Sequence, residues 1–195
     1  MAGFIKVITG EMFSGKSQEL ARLIKQSLSQ GFEVHVFYPA GASRGSERDI
    51  ECRLPESHPQ LFVDAVPNAN AAWLKQKLKA STAVVAVDEG QFFSDDIVEV
   101  VQELRRQGKM VLIGGLDQDY LEHPFGRMGD LMCIANDVEK FHAFCAHCQR
   151  EDAFISHRVT DEVGQVVVGE HNYVPLCEDC YQSARRPQEV QVFVD

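Results

Sequence analysis

The fold is decided by the stretch Gly10-Glu-Met-Phe-Ser-Gly-Lys-Ser17. It reads G-x-x-x-x-G-K-S, follows the apolar run at residues 4–9, and precedes a segment with helical spacing of leucine and isoleucine at residues 20–28. Strand, glycine-rich loop and helix in this order predict a phosphate-binding loop, because backbone N–H groups and a helix N-terminus then face one anion. In such a loop Lys16 reaches the β- and γ-phosphates, and the Ser17 hydroxyl binds Mg²⁺.

The length, the net charge and the apolar runs of the chain limit the kinds of protein it can be. The chain has 195 residues, a formal net charge of −10 and six cysteines. This length predicts one domain of moderate size with a small appendage. An acidic chain lacks the basic face that non-specific nucleic-acid binding needs, although a local phosphate site can still bind a nucleotide. No apolar run approaches the ~20 residues of a membrane-spanning helix, and no signal peptide is recognisable, so we expect a cytoplasmic protein.

A second chemical signal is the apolar run at residues 83–87, which ends in Asp88 and Glu89. Its continuous apolar character favours a strand buried on both faces of a parallel sheet. In proteins with a phosphate-binding loop such a strand lies beside the loop and its terminal carboxylate supports Mg²⁺, a role we assign to Asp88. Glu89 would accept a proton from an attacking hydroxyl or water. The alternative is an acidic turn that only caps the next helix.

Strands and helices alternate through the first 141 residues, which predicts an α/β fold with a parallel sheet flanked by helices. Ser94 is the predicted cap of a helix that ends near Gln107. The segment 39–60 is long and polar, and is either functional or a surface loop. The loop 115–129 follows a strand and should face the site; its aromatic residues, Tyr120 and Phe125, either cover a ligand or pack the loop onto the core.

The C-terminal part has a different character. Cys145-Ala-His-Cys148 and Cys177-Glu-Asp-Cys180 flank an insert in which residues 153–159 and 165–168 are predicted strands joined at Gly164. Two C-x-x-C pairs around a hairpin predict a zinc ribbon, in which four thiolates bind Zn²⁺ tetrahedrally. The alternatives are reduced structural cysteines or a disulfide. Nearby histidines could serve as substitute ligands: His142, His147 and His171.

These observations divide the chain into three parts. We predict a phosphate-loop nucleotide-binding α/β domain at 1–141, a small zinc-ribbon domain at 142–185 and a C-terminal tail at 186–195.

In this order the motifs resemble the type II thymidine kinases, the class with a C-terminal zinc lasso. The motifs are G-x-M-F-S-G-K-S, D-E-G-Q-F-F-S-D, G-L-D-x-D-Y-x-x-x-P-F-G and the two C-x-x-C pairs, and they extend from residue 4 to 180. The resemblance implies Mg²⁺-dependent transfer of the γ-phosphoryl group of ATP to the 5′-hydroxyl of thymidine or deoxyuridine, in nucleoside salvage for DNA synthesis. It also implies structural Zn²⁺, a homotetramer, and feedback inhibition by dTTP.

The resemblance further implies residue roles. Glu89 is the general base, and Lys16 assists transfer. The ATP and Mg²⁺ site comprises Gly10, Glu11, Met12, Phe13, Ser14, Gly15, Lys16, Ser17, Asp88 and Gln91. The nucleoside site comprises Met12, Phe93, Leu116, Tyr120, Phe125, Val166, Val167, Val168, Gly169 and Tyr173. The metal ligands are Cys145, Cys148, Cys177 and Cys180. Tyr120 would stack on the base, residues 166–169 would bind it through the main chain, and Tyr173 would hold the lasso.

Several positions depart from the family pattern. Glu11 stands where a small residue or proline is usual, and Val168 replaces the first glycine of the lasso pair. The threonine expected near the thymine methyl group corresponds to either Ile155 or Ser156. The long loop carries three arginines, Arg44, Arg48 and Arg53, of which Arg44 and Arg53 are the loose counterparts of phosphate- or loop-ordering arginines. These departures leave the kinase chemistry intact and bear on nucleoside preference.

A second interpretation is a zinc-ribbon ATPase that acts with nucleic acid. A phosphate loop with a strand ending in Asp-Glu also occurs where water is the nucleophile. The charge of −10 argues against nucleic-acid binding, and we expect neither a nucleic acid nor a membrane as partner. A zinc-dependent interaction module without catalysis is a third interpretation, which the intact phosphate loop and the Asp88–Glu89 pair disfavour.

Overall fold

The computed structural model describes residues 2–41, 50–161, 164, 165, 167 and 170–184. The strands are β1 (Phe4–Gly10), β2 (Val34–Pro39), β3 (Leu61–Val66), β4 (Val84–Val87), β5 (Met110–Gly114), β6 (Asp137–Phe141), β7 (Ile155–Arg158) and β8 (Tyr173–Leu176). The helices are α1 (Lys16–Ser29), α2 (Ile50–Arg53), α3 (Ala71–Lys77), α4 (Ile97–Arg106), α5 (Met128–Ile134) and α6 (Glu178–Ala184). Some predicted features lie outside the described residues: Arg44, Arg48, Val166, Val168, Gly169 and the tail 186–195.

Strands β1–β6 form one sheet in the order β3-β2-β4-β5-β1-β6, and all their pairings are parallel. The predicted α/β fold is therefore confirmed. Strand β4 is not hydrogen-bonded to the phosphate-loop strand β1, since β5 lies between them and pairs with both. The carboxyl ends of β1 and β4 nevertheless lie at the same edge of the sheet, because all three strands run in the same direction.

Both faces of the sheet are covered. Helix α1 packs on one face, where Leu20 and Ile24 are fully buried against Ile8, Val36 and Leu112. Helices α3, α4 and α5 contribute residues to the core on the opposite face. Each fully buried leucine or isoleucine contributes about 1.5–3 kcal/mol. The sheet edge that carries the phosphate loop is thereby held rigidly between two packed layers.

Helix α3 receives two caps at its N-terminus. The Asn70 carboxamide oxygen accepts the Ala72 N–H at 3.0 Å, and the Ser94 hydroxyl accepts the Ala71 N–H at 2.9 Å. Helix α4 begins only at Ile97, after Asp96, and no side chain caps its first turn. The prediction that Ser94 caps α4 is therefore wrong: Ser94 caps the neighbouring helix, which sequence distance alone does not reveal.

The C-terminal unit has its own sheet and its own core. Strands β7 and β8 pair antiparallel, with Ile155 opposite Leu176. The core contains Ala143, Cys145, Ala153, Ile155, Leu176, Cys177 and Tyr181. The strand predicted at 165–168 is wrong at its two described residues, Gln165 and Val167, which are not in a strand, and the partner of β7 is β8. Pro175 made β8 a poor candidate from sequence, although a two-stranded ribbon tolerates proline because its outer edge needs no donor. No described helix is both long and apolar enough to cross a bilayer.

Candidate active site at the carboxyl edge of the sheet

The loop between β1 and α1 has the backbone of a phosphate-binding loop. Gly10 and Gly15 adopt φ of 131° and 94°. A Cβ on Gly10 would lie 2.2 Å from the carbonyl oxygen of Phe141 in β6, so only glycine fits there. Phe13 adopts a left-handed φ of 68° although it is not glycine, which is uncommon and typical of functional loops. Three residues of the loop therefore have a positive φ, which L-residues rarely adopt.

Lys16 lies within this loop and bonds to its backbone. Its Nζ donates to the Glu11 carbonyl oxygen at 2.5 Å and approaches the Ser14 hydroxyl at 3.5 Å. Burial lowers the pKa of Lys16, and nearby carboxylates oppose this shift, Glu89 most strongly and then Glu11, Asp88 and Asp117. The phosphate loop therefore holds one half-buried cation near four acidic side chains.

Asp88 follows β4 and is buried, even though β5 separates its strand from β1. A Cβ on Gly114, the last residue of β5, would lie 3.2 Å from the Asp88 carboxylate and 3.2 Å from Leu20. The missing side chain at Gly114 leaves room for the Asp88 carboxylate beside the end of β5. Its charge acts on Lys16, so the non-adjacent strand still contributes to the phosphate loop.

Glu89 adopts a left-handed backbone with φ 53° and ψ 46°. Non-glycine residues held in this region are strained, and such strain clusters at active sites. Gln91 is buried and donates from Nε2 to the Glu89 carboxylate at 2.5 Å, while its Oε1 accepts the Leu116 N–H at 3.0 Å. A Cβ on Gly115 would lie 2.7 Å from that Oε1. Gln91 thus joins Glu89 to the loop after β5.

A cavity of about 260 Å³ opens beside these groups, near the lower end of the range for small-molecule sites, ~300–1,000 Å³. It is lined mainly by apolar groups from the phosphate loop, from the segments that follow β2, β3, β4 and β5, and from the C-terminal unit. The lining includes six residues of the predicted nucleoside site: Met12, Leu116, Tyr120, Phe125, Val167 and Tyr173. Apolar walls with a few polar groups suit a flat heterocyclic base.

The thymidine kinase family model matches residues 3–181 of this chain. The chain belongs to the thymidine kinase family. A curated thymidine kinase from Porphyromonas gingivalis is 38% identical and covers 97% of this chain and 90% of its own length. The thymidine kinase of Bacteroides thetaiotaomicron is 39% identical over 94% of this chain and 89% of its own. The thymidine kinase of a Rhodothermus species is 40% identical over 94% of this chain and 83% of its own length. The flagellar accessory protein FlaH of Methanocaldococcus jannaschii covers 70% of this chain and 70% of its own at 15% identity and a TM-score of 0.49.

In this member of the thymidine kinase family, Phe93 does not line the cavity. Its side chain is 4% exposed and packs in the main core, whereas Phe92 lines the cavity and meets Phe125 edge-on at a centroid distance of 5.4 Å. The two phenylalanines stand at the end of a 3-10 turn at Gly90–Phe92. Sequence alone does not say which ring of the pair such a turn directs inward.

Ser156, and not Ile155, is the residue of β7 that lines the cavity. Ile155 is buried in the C-terminal core. The Ser156 hydroxyl accepts the Met12 N–H at 2.9 Å. The serine therefore contacts both the cavity and the phosphate loop of this thymidine kinase family member, a double role that the sequence does not reveal.

The departure at Glu11 has a structural reason. Its carboxylate accepts the N–H of Ala143, at the start of the C-terminal unit, and lies 3.9 Å from the His142 Nδ1. Burial raises the pKa of Glu11, although the Ala143 N–H and the charge of Lys16 favour its ionised form. Glu11 joins the phosphate loop to the C-terminal unit. The remaining arginine of the long loop, Arg53, ends α2 and does not line the cavity.

The four cysteines of the C-x-x-C pairs form one cluster, in which all sulfur atoms lie within 4.8 Å of one another. All four are free thiols, and the Cys148 and Cys177 sulfurs are 3.6 Å apart. Tetrahedral Zn²⁺ with Zn–S bonds of ≈ 2.3 Å places its sulfurs ~3.8 Å apart, so the cluster fits a zinc ion. Arg150 donates to the sulfurs of Cys148 and Cys177 at 3.5 and 3.3 Å, which offsets the charge of a four-thiolate site. The histidine nearest the cluster, His147, contacts Cys180 at 3.4 Å.

Proposed function

We propose that this protein phosphorylates thymidine, and deoxyuridine with it, by transferring the γ-phosphoryl group of ATP to the 5′-hydroxyl. One observation carries the proposal. The Gln91 amide bonds to the Glu89 carboxylate at 2.5 Å and to the N–H of Leu116, which lines the apolar cavity, and the negative charge of Glu89 favours the charged form of Lys16 in the phosphate loop. A carboxylate between a phosphate site and a nucleoside-sized cavity suits transfer to a bound hydroxyl. Membership of the thymidine kinase family supports the choice of nucleoside.

The chemistry assigned to this chain is mainly positioning and charge neutralisation, since phosphoryl transfer needs little covalent help from the protein. The N–H groups of residues 10–17 cradle the phosphates, and Lys16 neutralises charge on the β- and γ-phosphates. Glu89 takes the proton of the 5′-hydroxyl as that oxygen attacks. The apolar walls keep water from competing for the γ-phosphoryl group.

We assign Mg²⁺ to Ser17 and Asp88. Four carboxylates already surround Lys16, and ATP adds further negative charge, so a divalent cation there would balance the site. The ion would supply charge neutralisation on the phosphates. The family resemblance also implies that Gln91 lies near ATP and Mg²⁺. In this structure its amide hydrogen-bonds to the Glu89 carboxylate and to the Leu116 N–H. We propose that Gln91 orients Glu89.

The nucleoside is assigned to the cavity, with its base between Met12, Leu116, Phe92 and the ring of Tyr120. The main chain near Val167 and the side chain of Tyr173 would close the cavity from the C-terminal unit. The separate core around Tyr181 supports the division into a nucleotide-binding domain at 1–141 and a lasso domain at 142–185.

We further propose a cytoplasmic location, a homotetramer and inhibition by dTTP, for which membership of the thymidine kinase family is the support. A nucleoside triphosphate fits the inhibitor role because its base suits the cavity and its phosphates suit the adjoining loop.

The test of the function is ADP release from Mg·ATP with thymidine, deoxyuridine, deoxycytidine, DNA or no addition. We expect release to depend on thymidine or deoxyuridine, with one dTMP or dUMP formed per ADP. Equal release without any nucleoside, or stimulation by DNA alone, would instead identify an ATPase.

We assign Zn²⁺ to the four-cysteine cluster in a structural role. Metal analysis of the purified protein is expected to give about one zinc per chain, and Cys148→Ser is expected to lose most of it, because three thiolates bind Zn²⁺ less tightly than four. Cys133→Ser, which removes an exposed thiol outside the cluster, is the matched control and should keep its zinc. A metal-free protein with its cysteines oxidised in pairs would refute the assignment.

A further inference from the structure

Arg158, the last residue of β7, is 3% exposed. Its guanidinium donates to the carbonyl oxygens of Gly164 and Gln165 at 2.6 and 3.0 Å, and to the Tyr173 hydroxyl at 2.8 Å. Burying a guanidinium is unfavourable unless its donors are satisfied. A planar guanidinium binds several acceptors in fixed directions, so a buried arginine can hold those acceptors in a defined arrangement.

The same guanidinium lies over two tyrosine rings that line the cavity. Its Cζ is 3.6 Å from the ring centroid of Tyr120 and 5.3 Å from that of Tyr173. A guanidinium over an aromatic face is attracted to it, more strongly when both are shielded from water. Arg158 therefore covers one face of the Tyr120 ring, a ring that also lines the cavity.

The residues held by Arg158 also contact the loop that carries Tyr120. We name Gly164, Gln165 and Val167 the strap. The strap is tied to that loop by the Gln165 amide, which donates to Asp119 at 2.9 Å, and to Tyr173 by the Val167 N–H, which donates to the hydroxyl at 3.2 Å. Asp119 is buried and accepts the N–H groups of Leu121 and His123 at 2.9 and 3.0 Å. Two walls of the cavity thus meet at Arg158.

We propose that Arg158 is a positioning residue that holds Tyr120 and the strap together as walls of the nucleoside cavity, and so sets both nucleoside affinity and the exclusion of water during transfer. The proposal rests on the function proposed above. Arg158 does not itself line the cavity. Its effect is expected on the nucleoside side of the reaction only, because its contacts are with the C-terminal unit and the loop after β5.

The test replaces Arg158 by methionine, which keeps an apolar stem as far as the position of Nε and removes the guanidinium. The KM for thymidine is expected to rise about ten- to hundredfold, as hydrogen bonds from a charged donor are lost, while the KM for ATP stays within about twofold. The ratio of ADP to dTMP is expected to exceed that of the wild type, since a loosened wall admits water. Arg158→Lys keeps the charge without the planar fork and is expected to stay impaired.

Arg106→Met is the matched control, because Arg106 is exposed on α4 and bonds only weakly to Gln102, at 3.3 Å. Zinc content and thermal melting report folding in each variant. Should Arg158→Met fail to fold, Tyr173→Phe and Gln165→Leu remove single contacts of the same assembly and must raise the thymidine KM without raising that of ATP. Unchanged thymidine KM and unchanged ADP:dTMP ratio in a folded variant, or an equal rise of both KM values, would overturn the proposal. A wild type without nucleoside-dependent ADP release would instead refute the proposed function.

Discussion

Glu89→Gln is expected to lower kcat with thymidine by about 10²–10⁴-fold, the usual contribution of a general base. The amide keeps the size of the carboxylate and can still accept the Gln91 N–H that holds Glu89 at 2.5 Å. It cannot take the proton of the 5′-hydroxyl. The KM for ATP is expected to change less than about threefold, because the carboxylate acts mainly in the transition state. Steady-state kinetics with ATP and thymidine varied separately measure both effects.

The matched control for this substitution is Glu103→Gln. Glu103 lies on α4, far in sequence from the phosphate loop, and pairs with Lys75 at 2.8 Å near the surface. Exposed ion pairs contribute at most about 1 kcal/mol to stability, so the kinetics of this variant should match the wild type. A kcat within a few fold of wild type for Glu89→Gln would show that another group, or no group, accepts the proton.

Lys16→Ala is expected to lower kcat/KM for ATP by about 10²–10³-fold or more, the effect of removing one donor that stabilises charge in the transition state. The loss has two components. The Lys16 ammonium no longer neutralises the phosphates, and the carboxylates near it, Glu89 foremost, then repel the nucleotide. Both kcat and the affinity for ATP are therefore expected to fall together, as measured by kinetics and by direct titration with a non-hydrolysable ATP analogue.

The control variant is Lys25→Ala, which removes an exposed lysine from the same helix, α1, outside the phosphate loop. It is expected to leave both parameters unchanged. If Lys16→Ala bound and turned over ATP normally while keeping its zinc and its melting temperature, the phosphate loop would have to bind nucleotide in some other way.

The parts of the fold that local sequence specifies were predicted well. The β1-loop-α1 unit is continuous in sequence, so its apolar strand, its glycines and its lysine can be recognised together as one motif. The order of the sheet is a different matter. The position of β5 between β1 and β4 depends on how the helical crossover connections pack against the sheet. A short stretch of sequence does not predict this packing. Gly114 gives the only local hint, because a missing side chain at the end of a strand indicates that another group approaches there.

The C-terminal unit shows where propensity misleads. The segment Gln165-Val-Val-Val168 has strong β-propensity, and Tyr173–Leu176 contains a proline, yet the second of these forms the strand. The described residues of the first lie at the cavity instead, where Gln165 contacts Asp119. Tertiary contacts here outweigh intrinsic preference, as β-propensities usually reflect packing surroundings. Sequence patterns do not single out Arg158 for a similar reason, because it belongs to no motif and the Tyr120 ring that it covers is distant in sequence.

The phosphate loop is bonded to the C-terminal unit at two consecutive residues, Glu11 to the Ala143 N–H and Met12 to the Ser156 hydroxyl. The candidate nucleotide and nucleoside sites therefore share a piece of backbone. A ligand that shifts this backbone at one site would change the free energy of binding at the other, and by thermodynamic necessity the effect would be reciprocal. We therefore expect ATP and nucleoside to bind cooperatively, each changing the affinity for the other by the same factor.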